Sequence, residues 1–178
     1  MSKAIGLLLV TVIVVGFLIP QLFLSKSYAM DRGTVIAVPQ AAVHAVVSDL
    51  TTWKDWTAWN KEADPTIAYT YVGDPGTVGH AMEWSGEKLG KGKLVLTGIA
   101  PDRIEYDMEF DGQDKSAGSI VLAAAGEGSS STSVTWGFSG EMEGMPYKRY
   151  FGLMMDKMVG PDFEAGLTSL KERLESPK

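Results

Sequence analysis

Only two imidazoles, His44 and His80, occur in the 178 residues, and no cysteine accompanies them. Without thiols there is no disulfide framework, no thiolate zinc or iron–sulfur site and no cysteine nucleophile. The histidines form neither an H-x-x-x-H nor an H-x-H arrangement, so a metal site has no support and no cofactor is expected. Ser129-Ser130-Ser131 belongs to a Gly-Ser-rich turn rather than a nucleophile elbow, and Gly90-Lys91-Gly92-Lys93 is too short for a phosphate loop. What remains is acid–base chemistry inside an apolar site. Its weak catalytic candidates are His80, Glu83 and Tyr106. Glu83 qualifies only if it turns inward, where desolvation would raise its pKa. The plainer alternatives are a structural or surface histidine and a solvated glutamate.

The apolar residues are more informative. Met82 and Trp84 alternate with Glu83, and Tyr106, Met108 and Phe110 alternate with Glu105, Asp107 and Glu109. Trp136 and Phe138 repeat the pattern, so all seven fall on the buried faces of strands. Phe151, Met154, Met155 and Met158 belong to an i, i+3, i+4 stripe that continues through Phe163, Leu167, Leu170 and Leu174. Together these eleven form the candidate ligand-binding set. Each is also an ordinary core residue, but the methionines favour a pocket, because flexible thioethers adapt to varied apolar shapes. Trp53, Trp56 and Trp59, spaced by three, either plug the end of a sheet or lie at a membrane interface.

The elements that position these residues follow from period and punctuation. Thr34–Val38 is a β-branched run stopped by Pro39, and 40–50 has the spacing of a short helix. Six further strands are expected from Ile67 to Phe138, separated by turns such as Gly73-Asp74-Pro75-Gly76 and Asp111-Gly112. A helix from Tyr147 to Leu174 closes the chain, with Gly160-Pro161 expected to kink or split it. Short-turned consecutive strands favour an antiparallel meander curled around the last helix.

Charge divides the chain. The whole carries 16 Lys and Arg against 22 Asp and Glu, a net −6. Residues 1–30 hold only Lys3 and Lys26 and no acid, leaving 31–178 at net −8. That balance excludes a phosphate-tracking surface, and no nucleic-acid partner is expected. Ala4–Leu24 is 21 residues without charge, 16 of them hydrophobic. As a helix it would span about 30 Å, the thickness of a bilayer core. An uncleaved anchor is favoured over a cleaved signal peptide, because the run exceeds the usual signal core of about 7–15 residues. The expected organisation is an anchor and short linker over 1–30, then a domain over 31–178. The expected location is a cell membrane, crossed once, with the domain on the extracytoplasmic side, because a short N-terminal tail before a first apolar segment usually stays in the cytoplasm.

Several segments carry a family resemblance. They are Val38-Pro39-Gln40-Ala41-Ala42-Val43 into Val47-Ser48-Asp49, Trp53-Lys54-Asp55-Trp56, Gly76-Thr77-Val78-Gly79, Met82-Glu83-Trp84-Ser85-Gly86, Val134-Thr135-Trp136, and the run from Met155 through Gly160-Pro161 to Leu167. In kind and order these resemble the START/Bet v 1-like (SRPBCC) superfamily, in its polyketide cyclase/dehydrase and lipid-transport branch, and particularly bacterial members with one N-terminal membrane helix. The resemblance implies an α+β helix-grip fold: a seven-stranded antiparallel sheet wrapped around a long C-terminal helix, preceded here by one transmembrane helix. It implies a cavity for an apolar small molecule, such as a lipid or an isoprenoid quinone. Fold does not settle activity. Beside non-catalytic binding stand two alternatives, a polyketide cyclase/dehydrase-like enzyme and an accessory subunit of a membrane complex.

Overall fold

The protein, seen here as a computed structural model, is described over residues 25–110, 115–141 and 148–176, with the isolated positions Gly6, Val15 and Gly16. The rest of Ala4–Leu24 lies outside the described residues. Among those described, no helix is long and apolar enough to cross a membrane.

Seven strands form one antiparallel sheet: β1 (Ser27–Ile36), β2 (Ala68–Val72), β3 (Ala81–Gly86), β4 (Gly90–Ala100), β5 (Arg103–Phe110), β6 (Ser116–Ala125) and β7 (Ser131–Glu141). The order β1-β7-β6-β5-β4-β3-β2 is a meander of β2 to β7 onto which the first strand adds beside the last. Helix α1 (Gln40–Val47) and a 3-10 turn (Leu50–Asp55) follow β1, and helix α2 (Lys148–Glu175) ends the fold. This is the helix-grip arrangement that the resemblance implies.

Two boundaries differ from expectation. β1 starts at Ser27 rather than Thr34, because ten successive residues pair with β7, from Ser27 opposite Glu141 to Ile36 opposite Thr132. Ladder pairing thus carries Asp31 and Gly33, both weak strand formers, through the element. α2 is assigned as helix straight through Pro161 rather than split there. Pro161 is exposed, so the carbonyl it leaves unbonded one turn earlier can bond to water.

α2 lies along β1 and points the same way. Arg32 binds Asp156 at 2.8 Å and Glu164 at 2.6 Å. Further on, the Lys171 ammonium donates to the Val35 carbonyl at 2.6 Å, and the Ala37 amide donates to Glu175 at 2.6 Å. The Ala37 amide, then Lys171, holds the Glu175 carboxyl below its ordinary pKa. These pairs are largely solvent-exposed and set register more than stability.

Asp64 ties the connector after the 3-10 turn to the β3–β4 hairpin. Fully buried, it accepts from the Thr66 hydroxyl at 2.6 Å and from the amides of Thr66 at 3.0 Å, Lys88 at 2.8 Å and Leu89 at 3.0 Å. The Thr66 hydroxyl, followed by the Leu89 amide, holds this carboxyl well below the usual carboxylate range. A depressed folded-state pKa adds stability above the unfolded value, about pH 4, and loses it as pH falls toward the folded value. Asp64→Asn is therefore expected to lower the thermal midpoint at pH 7, with the gap to the parent narrowing below about pH 4. Melting curves from pH 7 to pH 2 check this, and a constant gap would refute it.

Candidate functional site

The inner face of the sheet is aromatic at its centre. The 3-10 turn starts at Asp49, whose carboxylate accepts from the Thr51 amide at 2.9 Å and hydroxyl at 2.6 Å. In such a turn side chains three apart eclipse, which sends Trp53 inward with Trp56, just beyond the turn, beside it. Trp53 donates its indole N–H to the Val47 carbonyl at 2.9 Å and lies edge-on to Tyr106 and Trp136, with ring centroids 5.3 and 5.9 Å away. Trp136 donates to the Tyr106 hydroxyl at 2.8 Å and stacks on Phe163 of α2 at 3.9 Å. That stack is the grip itself, the place where helix and sheet hold each other. Of the alternatives for the tryptophan trio, Trp53 and Trp56 take the core and Trp59 stays half-buried, stacked on Trp84 at 6.2 Å.

Two rings fit only because a glycine stands on the next strand. A Cβ at Gly118 would land inside the Tyr106 ring, and one at Gly92 inside Trp84. The rings thus lie flat on the sheet and fill its middle.

The candidate ligand set divides accordingly. Met82, Trp84, Tyr106, Met108, Trp136 and Phe138 are buried together on the inner face. Phe110 sits half-buried at the rim, edge-on to Trp84 at 5.4 Å, and Met155 of α2 packs against the same core. Met154 and Met158 do not join them: they are 52% and 56% exposed. The helix turns its Met155, Val159, Phe163, Leu167 and Leu170 edge inward, and these two fall beside that edge. The Phe151 side chain lies outside the described residues.

The acid–base candidates do not converge. Glu83 points to the outer face, nearly half exposed, and pairs with Lys93 at 2.8 Å, which corrects its candidacy as an inward acid. Strict alternation with Met82 and Trp84 puts it there. Tyr106 is fully buried, and burial pushes its hydroxyl up, so it stays neutral at physiological pH. His80, 1% exposed, sits under the 3-10 turn with Nδ1 3.2 Å from the Val72 carbonyl and Nε2 3.8 Å from the Asp49 carboxylate. His44 meets the Ala100 carbonyl at 3.1 Å.

Among the described residues, four buried polar atoms find no hydrogen-bond partner: the indole N–H groups of Trp56 and Trp84, the Tyr71 hydroxyl and His80 Nε2. Tyr71 stacks on His80 at 6.5 Å, and burial raises its hydroxyl pKa. The neighbouring Tyr69, pushed up to about 12 by burial, is satisfied by the Trp59 carbonyl at 2.7 Å. Sequence patterns alone miss the gathering of Asp49, Tyr71 and His80. Its one visible signal is Asp49-Leu50-Thr51, the spacing of a side-chain turn cap.

The family model for polyketide cyclase / dehydrase and lipid transport matches residues 29–175. The chain belongs to that family. Solved structures agree on the fold. A truncated norcoclaurine synthase from Thalictrum flavum is similar with TM-score 0.61 at 13% identity, covering 85% of this chain and 96% of its own. A Thermobifida fusca protein gives 0.60 at 17% identity, covering 82% and 92%. A Chromobacterium violaceum protein gives 0.56 at 18%, covering 84% and 99%. No curated protein matches the chain. As a polyketide cyclase / dehydrase and lipid transport family member, it has the Bet v 1-like helix-grip fold, and the family's description points to hydrophobic ligands.

Proposed function

We propose that the chain is a membrane-tethered domain that holds an apolar small molecule, a lipid or an isoprenoid-quinone-like compound, without transforming it. The observation that carries this reading is the pair of buried, acceptor-less indole donors, Trp56 and Trp84, within a mostly apolar interior. An indole N–H can only donate, so its complement is a ligand with carbonyl or ester oxygens on an apolar body. Apolar area leaving water contributes roughly 25 cal/mol per Å². The family's lipid-transport description supports the ligand class. Ala4–Leu24 as a single-pass anchor keeps the domain beside its lipid-soluble ligand, raising the effective concentration. The domain is then extracytoplasmic.

In this arrangement the ligand lies between the ring-lined inner face and α2, and binding requires the helix to lift. The outer contacts of α2 are exposed ion pairs, which resist displacement weakly, so the Trp136–Phe163 stack sets how readily the helix lifts.

An enzyme of the cyclase/dehydrase kind needs an acid or base beside the ligand. His80 and Tyr106 are interior and Glu83 is not, so Glu83 cannot act with either of them on one atom of an interior ligand. An accessory-subunit role would require Ala4–Leu24 to recognise a partner, and exchanging it for an unrelated anchor separates that role from a simple tether.

The full chain, solubilised mildly and measured by native mass spectrometry with solvent extraction, is expected to carry a co-purified lipid or quinone. Trp84→Phe is expected to carry less, having lost one donor. An empty protein that also fails to take up a fluorescent lipid would overturn the reading.

A further inference from the structure

We propose that the flank of α2 beside the Ser27 half of β1 is a membrane-docking surface, with Met154 and Met158 seated in the headgroup region of a lipid bilayer. The inference rests on the tether proposed above and adds which way the domain faces.

The first argument is chain length. The apolar run ends at Leu24 and β1 begins at Ser27, so the strand starts within about 10 Å of the run's last residue. The Ser27 end of the sheet is therefore held at the surface that the run enters.

The second is direction. Position 160 of α2 meets Arg32, near the middle of β1, while Lys171 and Glu175 reach Val35 and Ala37. Residues before 160 consequently run back toward Ser27. At about 1.5 Å per residue, Met154 and Met158 lie some 3–9 Å beyond Arg32 on the side of the run.

The third is exposure. These methionines are one helical turn apart on one face and more than half exposed, although Met155 and Val159 beside them pack into the core. Val35 on β1 and Val72 on β2 are comparably exposed, at 51% and 55%, and Val78 at 62% lies in the β2–β3 connection. There the Gly76 amide bonds the Ser48 carbonyl just after α1, at the opposite end of the sheet.

Charge at the proposed contact is mixed, with Lys157 and Asp156 both exposed between the methionines. Docking is therefore carried by apolar contact and is insensitive to salt.

The absence of cysteine makes the test clean. Full-length Met154→Cys, Met158→Cys and Val78→Cys chains, each labelled with an environment-sensitive fluorophore, are reconstituted into phosphatidylcholine vesicles containing spin-labelled lipid. The labels at 154 and 158 are expected to be quenched at least threefold more than the label at 78, unchanged between 50 mM and 500 mM salt. Equal quenching at all three positions overturns the inference. So does shielding of 154 and 158 from water without lipid quenching, which would mean a second copy or the chain's own N-terminal segment covers them. Failure of the chain to float with the vesicles overturns the tether as well, whereas flotation without quenching overturns only the orientation. Ligand content, read by extraction of the same samples, reports separately on binding.

Discussion

Trp136→Ala is expected to destabilise the domain by about 4 kcal/mol and to lower its thermal midpoint by roughly 10 °C. Trp136 is 1% exposed and touches Trp53, Trp56 and Phe163 through ring contacts of 5.9, 5.1 and 3.9 Å. Its loss opens a cavity where sheet, connector and α2 meet, and rigid strands on one side limit collapse. It also leaves the Tyr106 hydroxyl without its donor at 2.8 Å. Trp136→Phe separates the two effects. It keeps most of the ring volume, and a cycle with Tyr106→Phe is expected to give a coupling of about 1 kcal/mol for the hydrogen bond. Urea and thermal unfolding measure both. A loss below about 1 kcal/mol for Trp136→Ala would mean that α2 is not held at this stack.

Gly118→Ala is expected to cost about 2–3 kcal/mol, against the direction that strand propensity alone gives. A methyl group at Gly118 collides with the buried Tyr106 ring, which cannot move without disturbing Trp136 and Trp53. Gly137, whose nearest neighbour to an added Cβ is the Ser119 hydroxyl at 3.6 Å, has room. Gly137→Ala is accordingly expected to be neutral or slightly stabilising, because it reduces unfolded-state freedom. In a Tyr106→Ala background the Gly118 penalty should vanish. Equal effects of the two glycine substitutions, read by thermal unfolding, would show that the ring does not need the space.

Alternation made the middle of the fold legible. Ile104, Tyr106, Met108 and Phe110 mark β5 because one face of that strand is buried and the other carries Glu105, Asp107 and Glu109. The same rule placed Glu83 outside and Met82 inside. Helical spacing marked α2 but not which edge of its stripe is buried. Met154 and Met155 look alike in sequence, and only the position of β1 under the helix tells them apart. Long-range polar contacts were invisible for a similar reason. Asp64 takes its amides from Lys88 and Leu89, and Arg32 finds Asp156 and Glu164, at separations no local pattern encodes. The acceptor-less indoles belong to the same class, because whether a buried tryptophan is satisfied depends on which carbonyl the fold brings to it. Trp53 meets Val47 and Trp84 meets none.

The pairing of β1 with β7 also governs the order in which the molecule can be completed during synthesis. β2 to β7 join neighbour to neighbour and need only short loops, but β1 must wait for residues 131–141, about a hundred positions later. Contacts of such separation form late and slowly. Until then the nascent sheet has an open edge, first on β6 and then on β7, while β1 stays unpaired, and bare edges invite pairing with other chains. A chain halted before Ser131 leaves its first strand with no partner at all. Termination before Ser131 and nicks that detach β7 from the sheet should therefore bear on aggregation far more than equal changes in the turns between β2 and β5.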